Sequence, residues 1–168
     1  MLARALFRIA LVASLSAAPA VRAAEPLQPW SGGPTPTLRL SSLAGNELKL
    51  DDFRGRTVIV NFWATWCEPC VAEMPALQRL RNRLAAEGIE VIAVNYEENP
   101  ARIRPFVERL GLTFPIVRDH DGTARSAWHV DVFPATFVIG PDQRIVWRAA
   151  GEIDWDDPRV EAQIRNLR

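Results

Sequence analysis

Cysteine is almost absent from this chain of 168 residues, which has only Cys67 and Cys70. A framework of structural disulfides is excluded, because such a framework uses several cysteines that close long loops. A four-ligand zinc site is disfavoured as well, since the chain adds only two histidines, His120 and His129, without ligand spacing. We expect no metal site.

An excess of charge of either sign is also absent, because Lys+Arg and Asp+Glu both number 20. Nucleic acid is therefore not an expected partner. No apolar run after the N-terminus is long enough to cross a bilayer, and no internal repeat stands out. The length suggests one domain, and 48% hydrophobic residues are enough to bury a core.

The N-terminus has the layout of a secretory signal. Residues 1–23 carry a basic end, a short apolar stretch and then small residues, with no acid before Glu25. Val21 and Ala23 fit the cleavage-site positions, which predicts a mature start at Ala24 and a periplasmic or extracytoplasmic protein. The alternative is an uncleaved membrane anchor, although a span needs about 20 apolar residues.

Two further segments follow this signal. Residues 24–36 are rich in proline and glycine and predict an extended linker. The folded domain is expected to cover 37–168 and to begin with a β-hairpin of strands 37–42 and 46–50, joined by a turn at Gly45.

The domain alternates strand and helix patterns. "TVIVNFW" (57–63) is apolar on both alternations, which is typical of a central strand. Apolar residues at helical spacing then predict a helix that ends at Gly88; they are Cys70, Met74, Leu77, Leu80 and Leu84. Further strands are predicted at 89–95, 114–118, 136–140 and 144–148, and further helices at 100–110, 123–128 and 158–167. This order predicts an α/β fold with a mixed central sheet flanked by helices.

The position of the cysteine pair favours redox chemistry. Cys67 lies where the central strand meets the helix, and Pro69 suits the first helical turn. Free amide groups and the helix dipole stabilise a thiolate there, and only the thiolate attacks a disulfide. We expect Cys67 to attack and Cys70, one turn into the helix, to resolve the intermediate.

The string "VIVNFWATWCEPCVAEMP" and the later "FPATFVI" resemble the thioredoxin superfamily, in particular its TlpA/ResA/DsbE branch of exported thiol–disulfide oxidoreductases. The resemblance implies a thioredoxin fold and a disulfide reductase without a cofactor. Its partners would be a disulfide-bearing protein substrate, in cytochrome c maturation or copper-site assembly, and a membrane thiol electron donor. It also implies that Pro134 is a cis proline against the cysteine pair.

The same resemblance suggests further site residues. Thioredoxins carry a buried aspartate where this chain has Asn61, and Glu73 is the candidate replacement, because the "E-x-P" after the second cysteine resembles the ResA-like pattern. The position of Glu73, three residues after Cys70 on the same helix face, supports this role. A solvated glutamate stabilised by the helix dipole is the alternative. Trp66 and Phe133, together with Pro134, are expected to contact the substrate.

Other interpretations remain open. Glu97 and Glu98 follow a strand, and a solvated loop is the favoured interpretation for both. A copper chaperone could use the two thiolates with His129, since soft thiolates suit Cu(I). A thiol peroxidase is the third hypothesis, although no proline shortly precedes Cys67 as it does in peroxiredoxins.

Overall fold

The computed structural model describes residues 26–167. The predicted signal, 1–23, and the first two residues of the predicted linker lie outside this range. Within it, no helix is long and apolar enough to cross a membrane.

The described chain contains eight strands and four α-helices. The strands are β1 (Gln28–Pro29), β2 (Arg39–Ser42), β3 (Glu47–Lys49), β4 (Thr57–Trp63), β5 (Ile89–Tyr96), β6 (Ile116–Asp119), β7 (Ala135–Ile139) and β8 (Ile145–Ala150). The helices are α1 (Glu68–Leu84), α2 (Pro100–Leu110), α3 (Thr123–Ala127) and α4 (Pro158–Arg165).

All strands join one sheet, in the order β1-β8-β7-β4-β5-β6-β2-β3. Strands β4, β5 and β6 are parallel, whereas β7, β8 and β1 pair antiparallel on one side and β2 and β3 on the other. The predicted mixed sheet and its N-terminal hairpin extension, β2–β3, are therefore confirmed.

Strand β4 lies at the centre of the sheet because both of its faces are apolar. Ile59 and Trp63 belong to the core cluster that contains residues of α1, α2 and α4. Val58, Val60 and Phe62 face the other cluster, which contains Ala124 of α3. A strand that is buried on both faces favours β-branched and aromatic residues, and all seven residues of β4 are buried. Six of the seven are of these types, and the exception, Asn61, donates hydrogen bonds to Glu73 and Thr136.

Helix α1 begins directly after β4 because the sequence supplies its start signals. Cys67 is the N-cap, and a proline lies in the first turn. The helix ends at Leu84, and a 3₁₀ turn (Ala85–Glu87) leads to Gly88 in the left-handed conformation, φ 79°. The predicted stop at Gly88 is thus correct, but the last turn tightens.

The predicted linker is in part a packed element. Leu27 is fully buried in the α1 cluster, and the Gln163 side chain bonds to its backbone N–H and carbonyl. Strand β1 pairs with β8, and Trp30 packs edge-to-face on Phe137 with 5.6 Å between ring centroids. The ordered fold therefore begins before the expected start at residue 37. A strand of two residues shows no alternation in sequence, which explains why the pattern missed it.

Candidate active site

The two cysteines lie at the carboxyl end of β4, where residues 64–67 form the turn into α1. The Cys67 N–H donates to the Ala64 carbonyl (3.2 Å), and the Cys67 sulfur accepts a hydrogen bond from the Cys70 N–H (3.3 Å). The two cysteines form a disulfide. Cys67 is 6% exposed and Cys70 is fully buried, so a partner reaches the Cys67 sulfur more easily.

A second loop, which precedes β7, approaches this turn. The Phe133–Pro134 peptide bond is cis, as the resemblance implies. Ala135 pairs with Phe62 near the end of β4, and this register brings the cis proline beside the cysteine turn. Trp66 lies edge-to-face on Phe133, with ring centroids 5.7 Å apart.

An apolar surface surrounds the disulfide. Trp66 is 56% exposed and Val132 is 47% exposed, and they are the large exposed hydrophobic residues of the described chain. Phe133 is half-buried between Trp66 and Tyr96, whose ring centroid lies 5.3 Å from that of Phe133. Exposed aromatic and aliphatic side chains next to a reactive group favour contact with a partner protein. The predicted contact residues are thus brought together here.

Glu73 is buried beneath the cysteines. Its carboxylate accepts hydrogen bonds from the Asn61 side-chain amide (2.8 Å) and from the Ile153 N–H (3.0 Å). The Trp155 indole N–H lies close to the carboxylate but outside hydrogen-bond geometry. Burial raises the pKa of Glu73 from 4.5 to about 7, although the two hydrogen bonds oppose this rise. A carboxyl group with this pKa can give or take a proton near neutral pH.

The sequence interpretation of Glu98 was wrong. Instead of being solvated, its side chain is only 5% exposed. It accepts hydrogen bonds from the Thr65 N–H (2.7 Å), the Thr65 hydroxyl and the Asn95 amide (2.8 Å), and it pairs with Arg102 (2.9 Å). Glu97, by contrast, is exposed as predicted. The one available signal was the position of Glu98 after a strand parallel to β4, because the carboxyl ends of parallel strands share an edge of the sheet.

The two histidines remain outside this arrangement. His120 and His129 are both exposed. Among residues 26–167, no three His, Cys, Asp or Glu side chains are grouped so that they could hold a metal ion.

The chain is similar to known proteins whose chemistry matches the geometry of this site. The AhpC/TSA family matches residues 31–148. The thiol-disulfide oxidoreductase ResA of Geobacillus kaustophilus is 36% identical over 137 residues, 82% of this chain and 78% of the relative. The ResA of Geobacillus thermodenitrificans is 39% identical over 126 residues, 75% and 72% of the two chains.

Among solved structures, a secreted thiol-disulfide isomerase from Corynebacterium glutamicum has a similar fold. It superposes with a TM-score of 0.75 at 24% sequence identity, covering 90% of this chain and 95% of the other. At this identity the likeness supports the thioredoxin-like fold, whereas the two sequence relatives support the chemistry.

Proposed function

Since the chain belongs to the AhpC/TSA family of the thioredoxin superfamily and is a thiol–disulfide oxidoreductase, we propose that it reduces disulfides of extracytoplasmic proteins through Cys67 and Cys70. The observation that carries this proposal is the position of the pair. The two cysteines lie at the start of a helix, next to the exposed apolar surface of Trp66 and Val132.

The reaction is two successive thiol–disulfide exchanges. The Cys67 thiolate attacks one sulfur of the substrate disulfide, forms a mixed disulfide and releases the other substrate sulfur as a thiolate. The Cys70 thiolate then attacks the Cys67 sulfur and releases the second substrate thiolate. The substrate gains two electrons and two protons, and the cysteine pair becomes the disulfide that the structure shows.

Glu73 supplies the base for the second exchange. Cys70 is fully buried and begins as a thiol, because apolar surroundings disfavour its thiolate. Glu73 follows Cys70 by three residues on the same helix face. A pocket of about 360 Å³, lined in part by Glu73, Glu152 and Asp154, connects this carboxyl group with solvent. The proton of Cys70 passes to Glu73 and leaves through this pocket.

The proposed partners follow from the motif. Its similarity to the exported branch favours substrates in cytochrome c maturation or copper-site assembly. A membrane thiol protein would return two electrons to the Cys67–Cys70 disulfide after each turnover. Trp66, Phe133 and Pro134 form the surface on which both partners would dock in turn, since both must reach the same sulfur.

Export depends on residues 1–23, whose basic, apolar and small segments match a secretory signal. N-terminal sequencing of the exported protein tests this part of the proposal. The mature protein should begin near Ala24. An intact Met1 on a membrane-bound product would instead identify an anchor.

A reductase assay separates this function from the two rival hypotheses. We expect the reduced wild-type protein to cleave the interchain disulfides of insulin, measured by turbidity in the presence of a chemical reductant. The same preparation should consume hydrogen peroxide no faster than the Cys67→Ala variant does. Rapid peroxide consumption without insulin reduction would indicate a peroxidase. Stoichiometric Cu(I) bound by the reduced protein, without turnover of insulin, would indicate a copper chaperone.

A further inference from the structure

We propose that Glu98 is a positioning residue that fixes the turn carrying Cys67 and sets the charge near its sulfur. This inference rests on the proposed role of Cys67 as the attacking thiol. It arises from a buried carboxylate that the disulfide exchange itself does not use.

The backbone after β5 directs Glu98 into the protein. Glu97 has φ 52°, in the left-handed region that residues other than glycine rarely occupy. Its N–H donates to the Asp119 carbonyl (2.9 Å), which holds this conformation. A strained residue that the surrounding structure holds in place is typical of functional sites. Here its consequence is that the next side chain turns inward toward the cysteine turn.

Three hydrogen bonds and one ion pair, from three segments, meet on this carboxylate. One oxygen accepts from the Thr65 N–H and the Asn95 amide, and the other accepts from the Thr65 hydroxyl and forms an ion pair with Arg102. Arg102 also donates to the Thr65 hydroxyl oxygen (2.9 Å). An ionised carboxylate only accepts hydrogen bonds, so this arrangement of donors matches the charged form.

Thr65 connects the Glu98 carboxylate with Cys67, the proposed nucleophile. It precedes Cys67 by two residues, and two extended residues span at most about 7 Å. The Glu98 carboxylate, 2.7 Å from the Thr65 nitrogen, therefore lies within about 10 Å of the Cys67 backbone. Loss of the carboxylate frees both Thr65 donors, and with them the turn that presents Trp66 and Cys67.

The charges of Glu98 and Arg102 act on the Cys67 thiolate in opposite directions. A buried negative charge disfavours a nearby thiolate, and a positive charge favours it. At the upper bound of about 10 Å, one unit charge changes a pKa by about 0.3 unit at the dielectric constant of water and by about 1 unit at an effective value of about 20, so we expect a shift of about half a unit. Glu68 and Glu73 also lie near the pair, and Glu73, with a pKa of about 7, titrates within the pH range of the test. Neither residue is changed in the variants that test this inference, so both act equally in all of them.

The first test measures the pKa of the Cys67 thiol from the pH dependence of its alkylation by iodoacetamide, in a Cys70→Ala background. Glu98→Gln should lower this pKa by about half a unit, and Arg102→Met should raise it. Glu108→Gln, an exposed change on the same helix as Arg102, should leave it unchanged. Purely structural damage would not give shifts of opposite sign. Wild-type values for both Glu98→Gln and Arg102→Met would overturn the proposal.

The second test uses Thr65 and leaves the carboxylate in place, which covers the case that Glu98 variants fail to fold. With both cysteines present, Thr65→Val should lower kcat/KM for insulin reduction at least fivefold, whereas Thr65→Ser, which keeps the hydroxyl, should restore it. Equal rates for the two variants would contradict the anchoring role. A wild-type protein without reductase activity would refute the proposed function, but the alkylation test would still report on Glu98.

Discussion

Replacing Cys67 by alanine should abolish disulfide reduction, whereas replacing Cys70 should leave the protein covalently attached to its substrate. The two sulfurs differ because Cys67 caps the helix and is partly accessible, while Cys70 is fully buried one turn later. Without Cys67 no nucleophile reaches the substrate, and the insulin-reduction rate should fall about 10³-fold or more. Without Cys70 the first exchange proceeds, but the mixed disulfide cannot be resolved.

Non-reducing electrophoresis with mass spectrometry distinguishes these outcomes. Cys70→Ala incubated with a disulfide-bearing protein should give a 1:1 adduct that a reductant releases. Cys67→Ala and the double variant should give little or none. Adducts that form with Cys67→Ala but not with Cys70→Ala would reverse the assignment of attacker and resolver.

Replacing Glu73 by glutamine should slow the resolving step by about 10²-fold near neutral pH, which is typical of the loss of a general base. In the wild type this step should accelerate as pH rises through about 7, because Glu73 then ionises and can accept the Cys70 proton. The rate of the resolving step is measured by stopped-flow as the decay of a preformed mixed disulfide, from pH 5.5 to 9. Glu73→Gln should lack the inflection near 7. If the pH–rate profile of Glu73→Gln kept the wild-type inflection and rate, the ionisation near pH 7 would belong to another group.

The same carboxyl group should make the oxidised protein less stable as pH rises. The folded-state pKa of about 7 exceeds the ordinary value of 4.5, so between these values the folded protein binds the extra proton. The contribution of Glu73 is therefore fully present below about pH 4.5 and is lost as pH approaches 7. The loss is about 3.5 kcal/mol at most, since each pKa unit corresponds to about 1.4 kcal/mol.

Urea unfolding of the disulfide form at several pH values tests this second effect without titrating thiols. The free energy of unfolding of Glu73→Gln should fall less between pH 5 and 7 than that of the wild type. Glu108→Gln, an exposed change, serves as the control and should follow the wild type. Identical pH dependence in all three proteins would contradict a strongly raised pKa for Glu73.

The parts of the fold that sequence predicted are those with local signals. The run of seven residues in β4 predicts a strand that is buried on both faces. The N-cap, the proline in the first turn and the apolar stripe predict α1. The helix wheel does not distinguish Glu73 from Arg81, because both residues lie within the arc of the apolar stripe. The structure separates them: Arg81 pairs with Glu90 and keeps its side chain 25% exposed, whereas Glu73 is 3% exposed.

The parts that sequence missed depend on contacts between distant segments. Strand β1 exists because Gln28 and Pro29 pair with residues of β8 more than a hundred positions later. The burial of Glu98 requires Thr65 from another loop as well as Arg102 from α2. No periodicity near Glu98 marks it as buried, since its neighbours are polar and its environment is hydrogen-bonded rather than apolar.

The equilibrium redox potential of the Cys67–Cys70 pair tests the central claim, that the protein works as a reductase, most directly. Glu68, exposed between the two cysteines, repels a Cys67 thiolate and so disfavours the form that strong oxidants stabilise. Titration against glutathione or dithiothreitol, followed by alkylation and mass spectrometry, gives the value. The account predicts a potential more negative than about −200 mV, in the range of reducing proteins of this fold. A potential near −120 mV, typical of a protein that donates disulfides, would contradict it.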